Sequence, residues 1–205
     1  AGNGNFKGNV HVADLEKKRQ LSGTVDIDNL TLDLIKPFLG KGEIAEGRVG
    51  AQLRLGGNAQ SPLLFGQFGI NQLKVVGHWI PFDITKGNVD VQFNGATSDL
   101  SGRIETPEGY LNLTGNADWR KLDEWRAVVA ANGNKLRVSL PPMVRIDVNP
   151  DLVFEASPHL LKLDGRIDIP WARIVVQELP ESAVSASSDE VMLDKNLQPI
   201  APKET

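Results

Sequence analysis

Along most of this chain, apolar residues recur at every second position, which is the period of a β-strand and not of a helix. Val89, Val91 and Phe93 alternate with the polar residues that lie between Asn88 and Asn94. In the C-terminal half, Leu163, Ile167 and Ile169 alternate with charged residues, as do Ile146 and Val148. This pattern predicts strands with one apolar and one polar face.

Further runs of the same kind occupy residues 6–12, 21–27, 49–55, 65–70, 100–104, 110–113, 136–140, 153–156 and 173–176. Turn signals rich in Gly, Asn and Pro lie between them, for example at 107–109, 132–134 and 149–151. The sequence therefore predicts about a dozen short strands, joined by short connections into an antiparallel meander.

Two segments interrupt the alternation. Residues 28–39 indicate the end of a strand that runs into a short apolar turn of helix, and residues 118–125 indicate another helical turn. From residue 179 onward the alternation is lost and Pro, Ser, Glu and Lys become frequent. We expect a curled β-sheet domain over residues 1–178, followed at 179–205 by a partly ordered tail or an additional edge strand.

A twisted sheet of more than about ten strands must curl or split. If it splits into two packed sheets, the apolar face becomes an ordinary sandwich core; if it only curls, that face lines an open, U-shaped hydrophobic groove. Alternation does not separate the two. The residues predicted to line a groove are Val89, Val91, Phe93, Leu111, Leu113, Ile146, Val148, Leu163, Ile167 and Ile169.

Composition excludes several kinds of function. The 22 Lys and Arg residues are outnumbered by 26 Asp and Glu, so no basic surplus is present for nucleic-acid binding. Without cysteine there is no thiol nucleophile and no Cys-ligated metal. His11, His78 and His159 lie far apart in sequence, and no G-x-S-x-G motif occurs. We expect no enzyme, no metal and no cofactor.

An apolar face without interleaved charge suits a ligand that is long, apolar and chemically plain. Burial contributes roughly 0.8 kcal/mol per methylene, so a 16-carbon acyl chain has on the order of 10 kcal/mol of gross driving force. No specific hydrogen bond is needed for such binding.

Two segments resemble the TamB family. Residues 53–70 form a strand, glycine turn, proline and strand element; residues 163–189 carry Gly-x-apolar-x-Ile-Pro-x-Ala-x-Ile, followed by Leu-Pro and a Ser-Asp tail. The second segment is similar to the C-terminal domain of that family, and the resemblance extends over essentially the whole chain.

The resemblance implies an open U-shaped β-groove, or β-taco, in the periplasm of a Gram-negative bacterium. It implies a segment of a longer protein that is anchored in the inner membrane by a part outside this chain. The expected partners are the outer-membrane barrel protein TamA, phospholipids moving between the two membranes, and nascent outer-membrane β-barrel proteins, including autotransporters.

Two alternatives stay open at this point. The apolar face or a free strand edge is also suited to holding a nascent barrel strand by β-augmentation, without lipid transport. A closed structural sandwich that only docks to a partner is the third interpretation.

Overall fold

A computed structural model of the chain describes residues 4–15, 18–140 and 144–175. The eleven strands are β1 (Asn5–Leu15), β2 (Lys18–Thr31), β3 (Ile44–Asn58), β4 (Ser61–Val76), β5 (Lys86–Gly95), β6 (Thr97–Glu105), β7 (Tyr110–Asp118), β8 (Arg126–Asn134), β9 (Leu136–Leu140), β10 (Val144–Ser157) and β11 (Leu160–Ile174). The tail predicted at 179–205 lies outside the described residues.

All eleven strands belong to one antiparallel sheet, in the order β1-β2-β3-β4-β5-β6-β7-β8-β10-β11, with β9 paired to β10. Each strand from β1 to β7 pairs with the next strand in the chain, as expected for a meander of hairpins. The sheet does not close on itself, since β1 and β11 stand at opposite ends of the order. The predicted all-β fold, an open curled sheet with few helices, is confirmed.

The connection from β8 to β10 differs from the sequence prediction. Residues 132–134 were expected to form a turn, but β9 continues in the direction of β8 and both pair with β10. Residues 149–151 were also expected to form a turn, yet they lie inside β10. One long strand therefore replaces the two short strands predicted at 146–148 and 153–156.

Three strands change direction at bulges near the same end of the sheet. Each bulge contains a residue other than glycine in the left-handed region: Asn29 (φ 50°), Gln72 (φ 55°) and Lys135 (φ 49°). The registers of β2–β3 and β3–β4 shift at the first two. The third bulge separates β8 from β9, and the backbone N–H of Lys135 donates to Asn149 Oδ1 at 2.8 Å. Bulges bend strands and increase their twist, so these three curve the sheet.

Both helical interruptions predicted from the sequence are present as short 3-10 helices, Leu32–Phe38 and Leu122–Glu124. The first connects β2 to β3 and contains Pro37; the second precedes β8. Within the described ranges, no helix combines the length and the hydropathy that a bilayer crossing requires.

The sheet is a single layer with little enclosed core. No large side chain in the described part of the chain is less than 2% exposed. The few buried apolar residues are Ala45, Ala51, Ile84, Ile104, Leu136, Val148 and Ala156. A closed sandwich would bury large side chains between two sheets, so the apolar face of this sheet is open.

Candidate functional site

The register of the strands joins the apolar positions into one continuous surface, which we call the inner face. Because directly paired residues share a face, Val91 lies beside Phe68 of β4 and Leu100 of β6. The same rule extends the face to both ends of the sheet. On β1–β3 it comprises Phe6, Val10, Val12, Leu21, Val25, Ile27, Val49, Ala51, Leu53 and Leu55; on β10–β11 it comprises Ile146, Val148, Leu152, Phe154, Leu161, Leu163 and Ile167.

From β3 to β10, the inner face carries no charged residue. Glycines alternate with large side chains across neighbouring strands: Gly66 pairs with Phe93, and Gly102 pairs with Leu113. A large side chain therefore has an empty position beside it, which leaves room on the surface of the sheet. This arrangement favours contact with a flexible apolar chain over recognition of a polar molecule.

The structure brings nine of the ten predicted groove residues to this face. They are Val89, Val91, Phe93, Leu111, Leu113, Ile146, Val148, Leu163 and Ile167. Ile169 lies within a register shift between β10 and β11, where pairing does not fix its face. That these residues bind a ligand stays a prediction, to which we return below.

Exposure of the inner face rises toward the ends of the sheet. Ile104, in a central strand, is 8% exposed, whereas Leu163 in β11 is 64% and Val10 in β1 is 63% exposed. Within the described residues, central positions are covered by neighbours on both sides, while β1 and β11 each have one neighbouring strand. Exposed aliphatic area of this extent is characteristic of a surface that contacts another apolar group.

An indole covers part of the inner face at one rim. Trp119 follows β7, and its ring lies edge-on to Phe93, with centroids 6.5 Å apart. Its Nε1–H donates to the carbonyl of Pro62, at the start of β4, at 2.9 Å. Its backbone N–H donates to the carbonyl of Ala96, in the turn between β5 and β6. Trp119 thus ties β7 to β4 across two intervening strands, which is consistent with a curved sheet.

At the opposite rim, the carboxylate of Glu43 joins two loops. It accepts hydrogen bonds from the backbone N–H of Gly40 at 2.6 Å and from Trp79 Nε1 at 3.0 Å, and it contacts His78 Nδ1. These hydrogen bonds, led by the one from Gly40, lower the pKa of Glu43. Trp79 lies in the loop between β4 and β5.

Charged residues collect on the other, outer face. Arg137 in β9 and Asp147 in β10 are directly paired, with Nε–Oδ1 at 2.8 Å and a second contact to Oδ2 at 3.2 Å. This bidentate pair lowers the pKa of the Asp147 carboxyl group, chiefly through the hydrogen bond from Arg137. The Arg137 guanidinium also lies 5.2 Å from the ring centroid of Trp171 in β11.

Sequence reasoning missed two features of this surface. The role of Trp119 depends on contacts with residues 23 or more positions away, which alternation does not reveal. The inner-face positions of β8 were missed because Ala127, Val129 and Ala131 are interspersed with further Ala and Val residues. Between Arg126 and Asn132, no polar residue marks the opposite face.

Comparison with known proteins agrees with this architecture. Residues 98–205 match the family model described as TamB C-terminal domain, and residues 1–70 match the model described as TamB, N-terminal domain. The chain is 39% identical over 191 residues to the translocation and assembly module subunit TamB of Haemophilus influenzae. That alignment covers 93% of this chain but only 15% of the relative's length. No solved structure gave a significant match.

The family models together account for both the N-terminal third and the C-terminal half of the sequence. The sequence similarity to the Haemophilus protein extends across nearly the whole chain. The resemblance seen at residues 53–70 and 163–189 is thereby confirmed. This chain belongs to the TamB family.

Proposed function

We propose that this chain is a periplasmic groove segment of a translocation and assembly module subunit, and that its inner face carries the acyl chains of phospholipids between the inner and outer membranes. It works without enzymatic chemistry. Its partner in outer-membrane biogenesis, including autotransporter and β-barrel assembly, is the barrel protein TamA. The subunit is anchored in the inner membrane by a part outside this chain.

The observation that carries this proposal is the continuity of the inner face. An uncharged apolar surface crosses every strand from β3 to β10 and continues onto exposed side chains of β1 and β11. An acyl chain has no hydrogen-bonding groups to satisfy, and each buried methylene contributes roughly 0.8 kcal/mol. A lipid can therefore move along the strand order while its charged head group stays in water.

A second candidate rests on the two edges of the sheet. Within the described residues, the outer edges of β1 and β11 pair with no other strand. A nascent barrel strand has one apolar side and backbone groups that need partners, so β-augmentation at such an edge would satisfy both. In this alternative the chain acts as a chaperone for outer-membrane proteins and transports no lipid.

Photo-cross-linking in the full-length protein in living cells tests the proposal. A cross-linking amino acid is placed at Val91 or Leu163 on the inner face, and at the adjacent outer-face positions Asp90 or Asp164 as matched controls. Leu163 is suited to this test because it is largely exposed. We expect phospholipid adducts at the two inner positions and about background levels at the two controls.

The alternatives predict different products. Adducts to outer-membrane polypeptides, concentrated on β1 and β11, would favour the chaperone function. If inner and outer positions gave equal lipid yields, or if the inner positions gave none, acyl-chain transport along this face would be refuted.

A further inference from the structure

Two arginines face each other on neighbouring strands close to one rim of the sheet. Arg145 in β10 is directly paired with Arg173 in β11 on one side and with Ser139 in β9 on the other. Directly opposed side chains in a sheet lie close together, so two like charges there repel each other. Within the described residues, neither guanidinium forms an ion pair.

The nearest acidic residue on the same strand is already engaged. Asp147 lies two positions beyond Arg145 on the same face, but both of its carboxylate oxygens accept from Arg137. Glu108 also contacts Arg137, with Nη1–Oε1 at 3.5 Å. By contrast, Arg126 in β8 is neutralised by Glu155 of β10 at 2.8 Å. The Arg145–Arg173 pair is therefore a positive site whose guanidinium groups form no ion pair among the described residues.

This site borders both a cavity and the inner face. Ser139 and Arg145 line a cavity of about 670 Å³ between β9 and the loop after β4. Its lining also includes the aromatic residues Trp79 and Phe82 and the acidic residues Asp83 and Glu108. The Ser139 backbone N–H donates to the carbonyl of Pro81, which holds that loop against β9.

Strand alternation places apolar side chains one residue away, on the other face of the same rim. Leu140 is 47% exposed and Ile174 is 66% exposed. A molecule that reaches across the rim meets guanidinium groups on the outside and aliphatic groups on the inside. A glycerophospholipid has this arrangement, with an anionic phosphodiester attached to acyl chains.

We propose that Arg145, Arg173 and Ser139 form a binding site for the phosphodiester of a glycerophospholipid whose acyl chains lie on the inner face. The guanidinium groups bind the phosphate by charge-assisted hydrogen bonds, and its negative charge relieves their mutual repulsion. The Ser139 hydroxyl supplies a neutral donor. This inference rests on the proposed transport of lipid, and it adds a head-group preference to a groove that is otherwise indifferent to head groups.

The test uses the purified full-length protein in mixed micelles. Two probes carry the same diazirine-labelled acyl chains: phosphatidylglycerol, which has the phosphodiester, and diacylglycerol, which lacks it. The variant is Arg145→Gln with Arg173→Gln, and the control is Arg103→Gln with Arg126→Gln. The control removes the same charge from arginines that already have carboxylate partners.

We expect the unmodified protein to capture phosphatidylglycerol about tenfold better than diacylglycerol, a discrimination typical of charge-assisted hydrogen bonds at a partly exposed site. The variant should lower phosphatidylglycerol capture to the diacylglycerol level and leave diacylglycerol capture unchanged. The control should retain the preference.

Three results would overturn the head-group site: an unchanged preference in the variant, an equal loss in the control, or an equal loss of both lipids. Phosphorus NMR of the protein with inorganic phosphate alone tests whether the site binds free phosphate instead of a lipid head group. If free phosphate bound as tightly as the lipid, the head-group site would also be overturned. Capture of both lipids without preference would leave acyl-chain transport standing. Capture of neither lipid by the unmodified protein would refute the proposed function itself.

Discussion

A single charge in the middle of the inner face should interrupt the path of an acyl chain. Leu113 lies in β7, where its direct neighbours are Gly102 on β6 and Ala131 on β8. Neither neighbour can shield an arginine placed between them, so Leu113→Arg would project a guanidinium over the face. Its matched control is Thr114→Arg, since Thr114 is exposed on the outer face of the same strand.

The magnitude follows from the apolar contacts that are lost. A hydrated guanidinium keeps about four methylenes of a crossing chain from apolar contact, at roughly 0.8 kcal/mol each. The loss of about 3 kcal/mol corresponds to about a hundredfold lower occupancy at that point. The Thr114→Arg variant keeps its charge in water and should leave occupancy unchanged.

The assay measures lipid cross-linking at Val91 and Leu163, which lie on opposite sides of β7 along the strand order. With Leu113→Arg, cross-linking should persist on the side where lipid enters and fall strongly on the other side, which also reveals the direction of transport. Urea unfolding of both variants establishes that each remains folded. If a folded Leu113→Arg protein gave wild-type yields at both positions, lipid would not travel along this face.

Three further outcomes follow from individual contacts. Gly66→Ala should lower the free energy of unfolding by about 3 kcal/mol or more in a urea titration, because Gly66 has a φ of +117° and an added Cβ would clash with the Gln52 carbonyl oxygen. Gly42 has a φ of +82° but open space around it, so the control Gly42→Ala should cost about 1 kcal/mol. The lowered pKa of Asp147 stabilises the fold above the ordinary value of 3.8, and this contribution is lost as pH falls through the lower folded-state pKa; Asp147→Asn should therefore be less stable than the unmodified chain at pH 7, with the difference shrinking below about pH 4. Trp119→Phe keeps an aromatic ring beside the inner face but loses the 2.9 Å hydrogen bond, so a loss of about 1 kcal/mol is expected, and an unchanged unfolding midpoint would contradict the bracing role.

Much of the fold is encoded by strict alternation. Where polar and apolar residues alternate without exception, as at 88–94, the sequence predicts both the strand and the face of each residue correctly. The inner face follows from the same signal, because alternate residues of a strand lie on opposite faces of the sheet. The pairing order also follows from local turns as far as β7.

The errors occur where a signal has two physical meanings. Asn149 and Pro150 indicated a turn, but they lie inside β10 opposite the bulge that separates β8 from β9. The ladder is interrupted there, so the missing N–H of Pro150 costs no hydrogen bond to β8 or β9. Asn149 uses its side chain to accept from the Lys135 N–H. Pro170 likewise lies in the register shift between β10 and β11, where the ladder is interrupted.

Long-range contacts had no local signature. The carbonyl of Pro62 and the indole of Trp119 are 57 positions apart, and the arginine pair of β10 and β11 depends on a register set by a bulge. A shift of one residue would have placed Arg173 on the opposite face.

The single-layer sheet has a consequence for how it unfolds. Among the described strands, substantial contacts occur only between partners in the ladder, as in a solenoid of repeats. Stability is therefore close to a sum of nearest-neighbour interactions. Such a sheet can begin to fold at any stable hairpin and then propagate to the neighbouring strands. Its length can also change by whole hairpins during evolution without redesign of a common core. An architecture with these properties can assemble strand by strand, with each new hairpin using the previous strand as its template.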